Sequence, residues 1–378
     1  MFDRTLKISK KESYFIFGPR GTGKTNWLKT HYKNAPYFDL LEGDVLFDLS
    51  QSSKNLELRI GENYKGPVII DEVQKLPTIL DEVHRLIELR KDLHFILTGS
   101  STRKIKKQGV NLLAGRALVE HFYPLTIEEI GKDFIIEKAL KTGLLPKSWT
   151  SENPVVFLKS YIQTYIDLEV RLEGLVSDLS GFNRFLQAAS FSQGSVLNIS
   201  AVASDCGVER RTVTNYFSLL NDLLLSYELP VFSKRAKREL IKHRKFYFFD
   251  VGVFQTLRPR GPLDSDSEAR GTALETLVLQ ELIAQNSYKK LGYEIFFWRT
   301  RDHLEVDFVL YGERGLIAIE VKASSRIRND DVRGLLEFTN DYAIAKTYLL
   351  YGGSKAYRHG KIEIIPVQQF LVEILKYL

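Results

Sequence analysis

A single cysteine, Cys206, stands in 378 residues, which excludes an internal disulfide and a cysteine-built zinc site and agrees with a reducing compartment. Long apolar runs are also missing. Nothing approaches the roughly 18 to 20 residues that span a bilayer, and the opening MFDRTLKISKKESYF has no apolar core of the signal-peptide kind. The expectation is a cytoplasmic protein with no membrane partner. Repeats and low-complexity tracts are absent too. Charge of one sign does not dominate, because 53 Lys and Arg stand against 47 Asp and Glu for a net charge of +6. So mild an excess does not by itself select a nucleic-acid partner. What is present, 44% hydrophobic and 26% charged residues, is the composition of a globular protein, and the length suits two or three domains.

From Ser13 to about Pro124, short β-branched and aromatic runs alternate with helical stretches. YFIFG, PYFDL, PVIID and FILTG read as buried parallel strands, which is an α/β layout. Helical spacing then prevails, as in PVVFLKSYIQTYIDLEVRL, and predicts a helical lid over residues 125–181. Residues 182–257 carry further helices and two strand-like runs, ELPVFS and KFYFFD, on either side of the basic segment KRAKRELIKHRK. That pattern fits a winged helix-turn-helix. RPRGPLDSDSEARG, residues 258–271, has no hydrophobic face and reads as a linker. Beyond it, residues 272–378 show a helix (LETLVLQELIAQ), three strands (YEIFFWR, LEVDFVL, LIAIEVK), a helix around VRGLLEF and a strand TYLLYG.

Residues 18 to 25 read GPRGTGKT, a full match to the phosphate-binding pattern GxxxxGK[ST], between a strand and a helix as that pattern requires. Gly18, Gly21 and Gly23, with Pro19, Arg20 and Thr22 between them, let the backbone curl so that its N–H groups point at phosphate. Lys24 reaches the β and γ phosphates of ATP, and the Thr25 hydroxyl ligates Mg²⁺. The run PVIIDE places Asp71 forty-seven positions after Lys24. There Asp71 serves the metal and Glu72 polarises the attacking water. HFILTGSS ends in Thr98, Gly99 and Ser100, where either hydroxyl could touch the γ phosphate or the water, with Ser100 slightly favoured.

Together GPRGTGKT, VIIDE, FILTGSS, LLAGRA and HFYPLTIEE resemble the AAA+ ATPases that begin a widespread bacterial and archaeal family of ATP-binding proteins. The resemblance covers essentially the whole chain and implies an AAA+ ATPase domain over residues 1–124, working as a homo-oligomer. By that likeness Arg116, after Gly115, is a candidate arginine finger acting on a neighbouring subunit's nucleotide, with Arg103 as the alternative. The lid's usual Gly-Gly-Leu-Pro appears here as TGLLP, residues 142 to 146.

In the middle segment, NISAVASDCGVERRTVTNYFSLLNDLLL reads as two helices around a turn at Cys206 and Gly207, with Val213, Phe217, Leu220 and Leu224 on one apolar face. Arg210, Arg211, Thr212, Thr214 and Asn215 then lie at the exposed start of the second helix, suited to DNA contact. Lys234, Arg235, Lys237 and Arg238 stand where a wing would be.

Near the C-terminus Asp307, Glu320 and Lys322 give D…ExK, with twelve residues between the two acids, and resemble the PD-(D/E)XK nuclease-like fold. If the turn is GERG, residues 312 to 315, Tyr311 pairs with Leu316, Asp307 faces Glu320 and Glu305 faces Lys322. Two carboxylates about 5 Å apart destabilise a sheet unless a cation lies between them. Mg²⁺ or Mn²⁺ held by Asp307 and Glu320 would activate water, with Lys322 steadying the charge. Glu275 matches the helical glutamate often found in this fold. The expected function is thus a magnesium-dependent ATPase acting on DNA through a winged helix and a nuclease-like domain. The rival is an ATP-driven signalling or assembly switch whose C-terminal domain is an inactive scaffold.

Overall fold

The computed structural model describes residues 2–101, 115–166, 170, 176, 178–234, 243–259, 261 and 265–378. They divide into two compact units, residues 1–125 with 222–224, and residues 126–221 with 225–378.

In the first unit the strands are β1 (Ser13–Phe17), β2 (Tyr37–Asp39), β3 (Gly66–Asp71), β4 (Leu93–Gly99) and β5 (Ala117–His121). They form a parallel sheet in the order β2-β3-β4-β1-β5. β1 and β4 are buried along their whole length, and continuous apolar runs are what a covered parallel sheet selects. β5 was not among the expected strands. It is an edge strand with Leu118 and Val119 exposed, so no unbroken apolar run marks it. The helices α1 (Lys24–His31), α2 (Gly43–Gln51), α3 (Asn55–Ile60) and α4 (Ile79–Leu89) accompany the sheet. Leu49, Leu56, Val83 and Leu86 of the last three share a core with Phe15, Ile70 and Phe95. Because β4 runs between β1 and β3, Phe17 pairs with Gly99 and Ile70 with Leu97. The ends of those three strands therefore meet at one edge of the sheet, where ligands of such folds bind.

The second unit opens with α5 (Ile127–Ile130), α6 (Ile136–Thr142), α7 (Pro146–Thr150) and α8 (Pro154–Ser160). This stretch, expected as a lid, is bonded to residues later in its own unit. Ile127 N donates to Glu281 Oε2 at 3.1 Å and Leu144 N to Asp250 Oδ2 at 2.8 Å, so buried carboxylates far along the chain cap its backbone. Next come α9 (Leu179–Ser190), β6 (Ser195–Val196), α10 (Ile199–Cys206), α11 (Arg210–Asp222), β7 (Ser226–Leu229) and β8 (Lys245–Phe248), with the antiparallel order β6-β8-β7. Phe185 and Phe217 of the helices meet edge-on at 4.8 Å, and Phe217 meets Phe246 of β8 at 5.0 Å.

After α12 (Val251–Leu257) a long helix, α13, spans Asp266–Tyr288. It takes in the last residues of the expected linker, because the acid Glu268 suits a helix N-terminus even though Gly271 lies inside it. The remaining strands are β9 (Glu294–Arg299), β10 (Glu305–Gly312), β11 (Gly315–Lys322), β12 (Lys346–Tyr351), β13 (Tyr357–His359) and β14 (Ile362–Pro366), with α14 (Arg333–Asp341) and α15 (Val367–Val372). They pair in the order β13-β14-β12-β11-β10-β9. Tyr311 pairs with Leu316 and Phe308 with Ile319, the register expected from the turn. Phe232, from the loop after β7, is buried in the core of this sheet with Trp298, Val309 and Phe338.

Candidate functional site

The loop joining β1 to α1 takes its shape from glycine where nothing else fits. Gly21 and Gly23 have φ of 78° and 96°, left-handed values that side chains avoid. At Gly18 the limit is contact, since a Cβ there would lie 2.1 Å from the Phe122 carbonyl oxygen. Arg4 braces the loop by donating to the carbonyl oxygens of Thr22 and, at 2.7 Å, of Tyr123, with its guanidinium 4.1 Å over the Phe122 ring. Sequence reasoning missed this arginine. Thr22 closes the loop on itself through the Pro19 carbonyl at 2.8 Å. Gly23 caps α1 without a side chain, so the first N–H groups of the helix lack an intrahelical acceptor and suit phosphate. Lys24, buried, donates to the carbonyl oxygens of Gly18 at 2.6 Å and Pro19 at 3.1 Å. Arg20 is partly exposed at the loop's turn.

Asp71, at the end of β3, collects three hydroxyls. Thr25 donates to Oδ2 at 2.7 Å, Tyr37 to the same oxygen, and Thr98 to Oδ1. Burial, reinforced by the bond to Asp71, pushes the Tyr37 phenol well above its ordinary range, so it stays a donor. Glu72 follows with φ of 61°. Gln74 Nε2 donates to Glu72 Oε2 and, at 2.9 Å, to Ser100 Oγ, while Ser100 donates to Glu72 Oε2 at 3.3 Å. Each hydroxyl thus has its own carboxylate, Thr98 with Asp71 and Ser100 with Glu72. Gln74 was not foreseen, although its place two residues after Glu72 was readable. Its Oε1 is buried without a partner among the described residues, an acceptor left for a donor such as water. Hydroxyl and carboxylate oxygens are what magnesium selects, so the residues fit a magnesium nucleotide.

Arg116, entering β5, donates to Glu88 of α4. Both side chains are exposed by more than a third, and a pair so wetted adds little stability. Arg103, the alternative finger, lies outside the described residues.

The C-terminal acids are arranged otherwise than expected. Asp307 and Glu320 do come together, with Asp307 N donating to Glu320 Oε2 at 3.2 Å and Val321 N to Asp307 Oδ2 at 2.9 Å. The expected facing of Glu305 with Lys322 gives way to other partners. Lys322 turns to Glu320, and Glu305 binds Lys245 at 2.7 Å and Arg299 at 3.2 Å. Lys245 also lies 2.7 Å from Glu275 and 3.1 Å from Asp307, and Tyr247 donates to Glu275. Burial raises the carboxyl groups of Glu275 and Glu320, and the Asp307 charge adds to it. Burial alone would raise Asp307 too, but the Lys245 and Lys322 ammonium groups outweigh it and hold Asp307 below the usual carboxylate range. A cavity of about 530 Å³ is lined by Glu275 and Asp307 of the cluster together with Arg270, Thr272, Lys322 and Ser324. Among the described residues no group of three or more His, Cys, Asp or Glu side chains is set to hold a metal ion. The Lys245 ammonium lies among Glu275, Glu305 and Asp307 and the Lys322 ammonium on Glu320, so the residues do not fit Mg²⁺ or Mn²⁺.

On α11, Arg210, Arg211, Thr214 and Asn215 are exposed and Thr212 half-buried, while Val213, Phe217 and Leu220 are buried. Leu224, the fourth residue expected on this face, instead lies past the end of α11 with φ of 58° and is only half-buried. Lys234 is exposed and binds Glu294 at 3.0 Å. Arg235, Lys237 and Arg238 lie outside the described residues. No described helix is long and apolar enough to cross a membrane.

Residues 10–131 match the family described as an AAA domain. Residues 135–264 and 270–370 match two domains of unknown function, DUF8612 and DUF4143. The chain therefore begins with an AAA domain, followed by two domains to which no function is attached. Similar proteins include an uncharacterized protein of Methanocaldococcus jannaschii, 24% identical over 82% of this chain and 75% of that one. Another, from Haemophilus influenzae, is 21% identical over 72% and 68%. Among solved structures, a signal transduction ATPase with numerous domains and a tetratricopeptide repeat sensor, from Pyrococcus horikoshii, gives a TM-score of 0.21 at 14% identity, covering 76% of this chain and 50% of that one. A protein from Vibrio cholerae gives 0.23 at 11% identity, covering 97% and 96%. The chain spans half the length of the Pyrococcus protein.

Proposed function

We propose that this chain is a magnesium-dependent ATPase that couples its nucleotide state to DNA through a winged helix in its middle segment. The observation that carries the reading is the Thr25 hydroxyl held 2.7 Å from Asp71 at the start of α1, a hydroxyl and a carboxylate brought together where phosphate binds. Bound ATP and magnesium would supply the phosphoanhydride bond and the countercharge. Lys24 and the N–H groups of the loop would orient the phosphates, Thr25 and Asp71 would hold the metal, and Glu72 would take the proton of the attacking water. Gln74 and Ser100 fix the carboxyl of Glu72.

For DNA the support is the exposed row Arg210, Arg211 and Asn215 on α11, in a segment whose order of helix, strand, two helices and two strands is that of a winged helix. The C-terminal segment is read as a PD-(D/E)XK-like scaffold without nuclease chemistry, because Lys245 stands among its acids. One set of measurements tests the whole reading: ATP turnover, ATP affinity, and duplex binding across a salt series. Glu72→Gln should keep ATP affinity and lose about a hundredfold in turnover. Changing Arg210 and Arg211 together to Ala should weaken DNA binding and reduce the salt slope by about 2. Glu72→Gln turning over like wild type would remove the base assignment. Failure of the wild-type chain to bind duplex with any salt dependence would favour the signalling switch.

A further inference from the structure

Four carboxylates from three elements converge in the second unit: Glu275 on α13, Glu305 and Asp307 on β10, and Glu320 on β11. Packed like charges in a sheet need a cation among them. Strand β8 brings one. Alternation along Lys245–Phe248 turns Lys245 and Tyr247 to the same side, and both reach Glu275 Oε1, while Phe246 and Phe248 face each other at 5.0 Å. Lys245 Nζ lies 2.7 Å from Glu275, 2.7 Å from Glu305 and 3.1 Å from Asp307, with its side chain 1% exposed.

An ammonium has three donors and no acceptor, and here the three carboxylates match them in number. A magnesium or calcium ion held by the same oxygens would sit about 2.0 to 2.6 Å from each. That is the volume the nitrogen occupies, so amine and ion exclude one another. A lone buried ammonium would lose its proton, but the surrounding carboxylates keep Lys245 charged well above the usual lysine range. We infer that the Lys245 ammonium is the resident cation among Glu275, Glu305 and Asp307, while Lys322 serves Glu320, and that the three acids take up a divalent metal only when the Lys245 amine is removed.

The consequence reaches beyond the ATPase reading and does not depend on it. Lys245 belongs to the middle segment and the acids to the C-terminal one, so the ion cluster clasps the two together as a metal would bridge its ligands.

The test is Mn²⁺ titration of the full chain, free of nucleotide, read by electron paramagnetic resonance and by thermal unfolding. Wild type and Asp307→Asn should bind Mn²⁺ alike, and Asp307→Asn should unfold at lower temperature, because it weakens a partner of a buried charge. Lys245→Met, which keeps the packing volume, should gain about one Mn²⁺ per chain and be stabilised by it. Adding Asp307→Asn to Lys245→Met should abolish the gain. Asp307-dependent Mn²⁺ uptake by wild type overturns the inference, and so does a folded Lys245→Met chain with no gain. Should Lys245→Met fail to fold, wild type and Asp307→Asn decide alone: equal Mn²⁺ binding with a lowered unfolding temperature upholds the inference, and anything else defeats it.

Discussion

Glu72 is the residue where local conformation and chemistry meet. A non-glycine side chain at φ 61° costs on the order of 1 kcal/mol or more, and such strain persists only where the surroundings over-determine it. Here they do, because Gln74 and Ser100 both bond the carboxylate. Under the proposed function Gln74 is a positioning residue, so Gln74→Ala should lower kcat about tenfold, leave KM for ATP within about twofold, and cost about 1 to 3 kcal/mol of stability through the buried groups it leaves unmet. Steady-state kinetics check this, and equal falls in kcat and rises in KM would make Gln74 a binding residue instead. The residues that were legible in the sequence share one trait. Gly18 to Thr25 are contiguous, and Asp71 and Glu72 adjoin at a strand end, so the chemistry is written within a few positions. Lys245 was not legible, since it closes KRAKRELIKHRK and counts there as one wing charge among many. Only the phase it shares with Tyr247, and partners 30 and 62 positions away, set it apart.

Between elements, buried carboxylates do the fastening. Asp250 receives N–H groups of Leu144, Gly252 and Val253 together with the Gln280 amide, which ties the end of α6 to α12 and α13. This explains TGLLP: a Cβ on Gly143 would lie 2.1 Å from Asp250 Oδ1, whereas Thr142 merely bonds back to Lys138. The second glycine of the motif is needed and the first is not. Glu281 does the same work for α5, accepting from Ile127 N at 3.1 Å and from Gln285 at 2.8 Å. Burial raises its carboxyl to about 7, Glu129 and Glu128 add to the rise, and the two hydrogen bonds oppose it. Lys289, the cation on the same helix face, is engaged with Glu128. The native chain therefore holds a proton that the unfolded chain releases near 4.5. Its contribution to stability is complete below that value and is lost as pH rises through about 7. Urea unfolding between about pH 5 and about pH 8 should show wild type losing on the order of 2 to 3 kcal/mol more than Glu281→Gln. Parallel pH curves would show that Glu281 is already ionised in the native state. Glu275 and Glu320 add slopes of the same sign, but they are common to both proteins and cancel in the difference.

At the scale of the molecule, the strand and helix order was legible through most of the chain, because hydrophobic period and turn residues report local structure. The contacts that group those elements were not. Five segments were expected, and the chain forms two compact units. What joins residues 126–257 to residues 265–378 is a set of polar side chains that no periodicity singles out. Gln193 bonds Thr276 at 2.8 Å, Val251 N bonds Gln280 at 2.9 Å, and Ile127 N bonds Glu281. Lys245 enters the carboxylate cluster, and Phe232 fills the core beneath β9 and β10. A cut at residue 271 would remove all of these partners at once. Each buried group left unmet costs about 1 to 3 kcal/mol, an unpaired buried charge about 3 to 5 kcal/mol, and the loss of Phe232 from the core about 3 to 5 kcal/mol. A domain of ordinary stability has only about 5 to 15 kcal/mol in hand. Residues 272–378 alone should therefore not fold, whereas residues 126–378 should give dispersed amide resonances and a cooperative melt. A cooperative transition in the shorter fragment would restore the C-terminal segment as a domain in its own right and reduce these buried bonds to an interface.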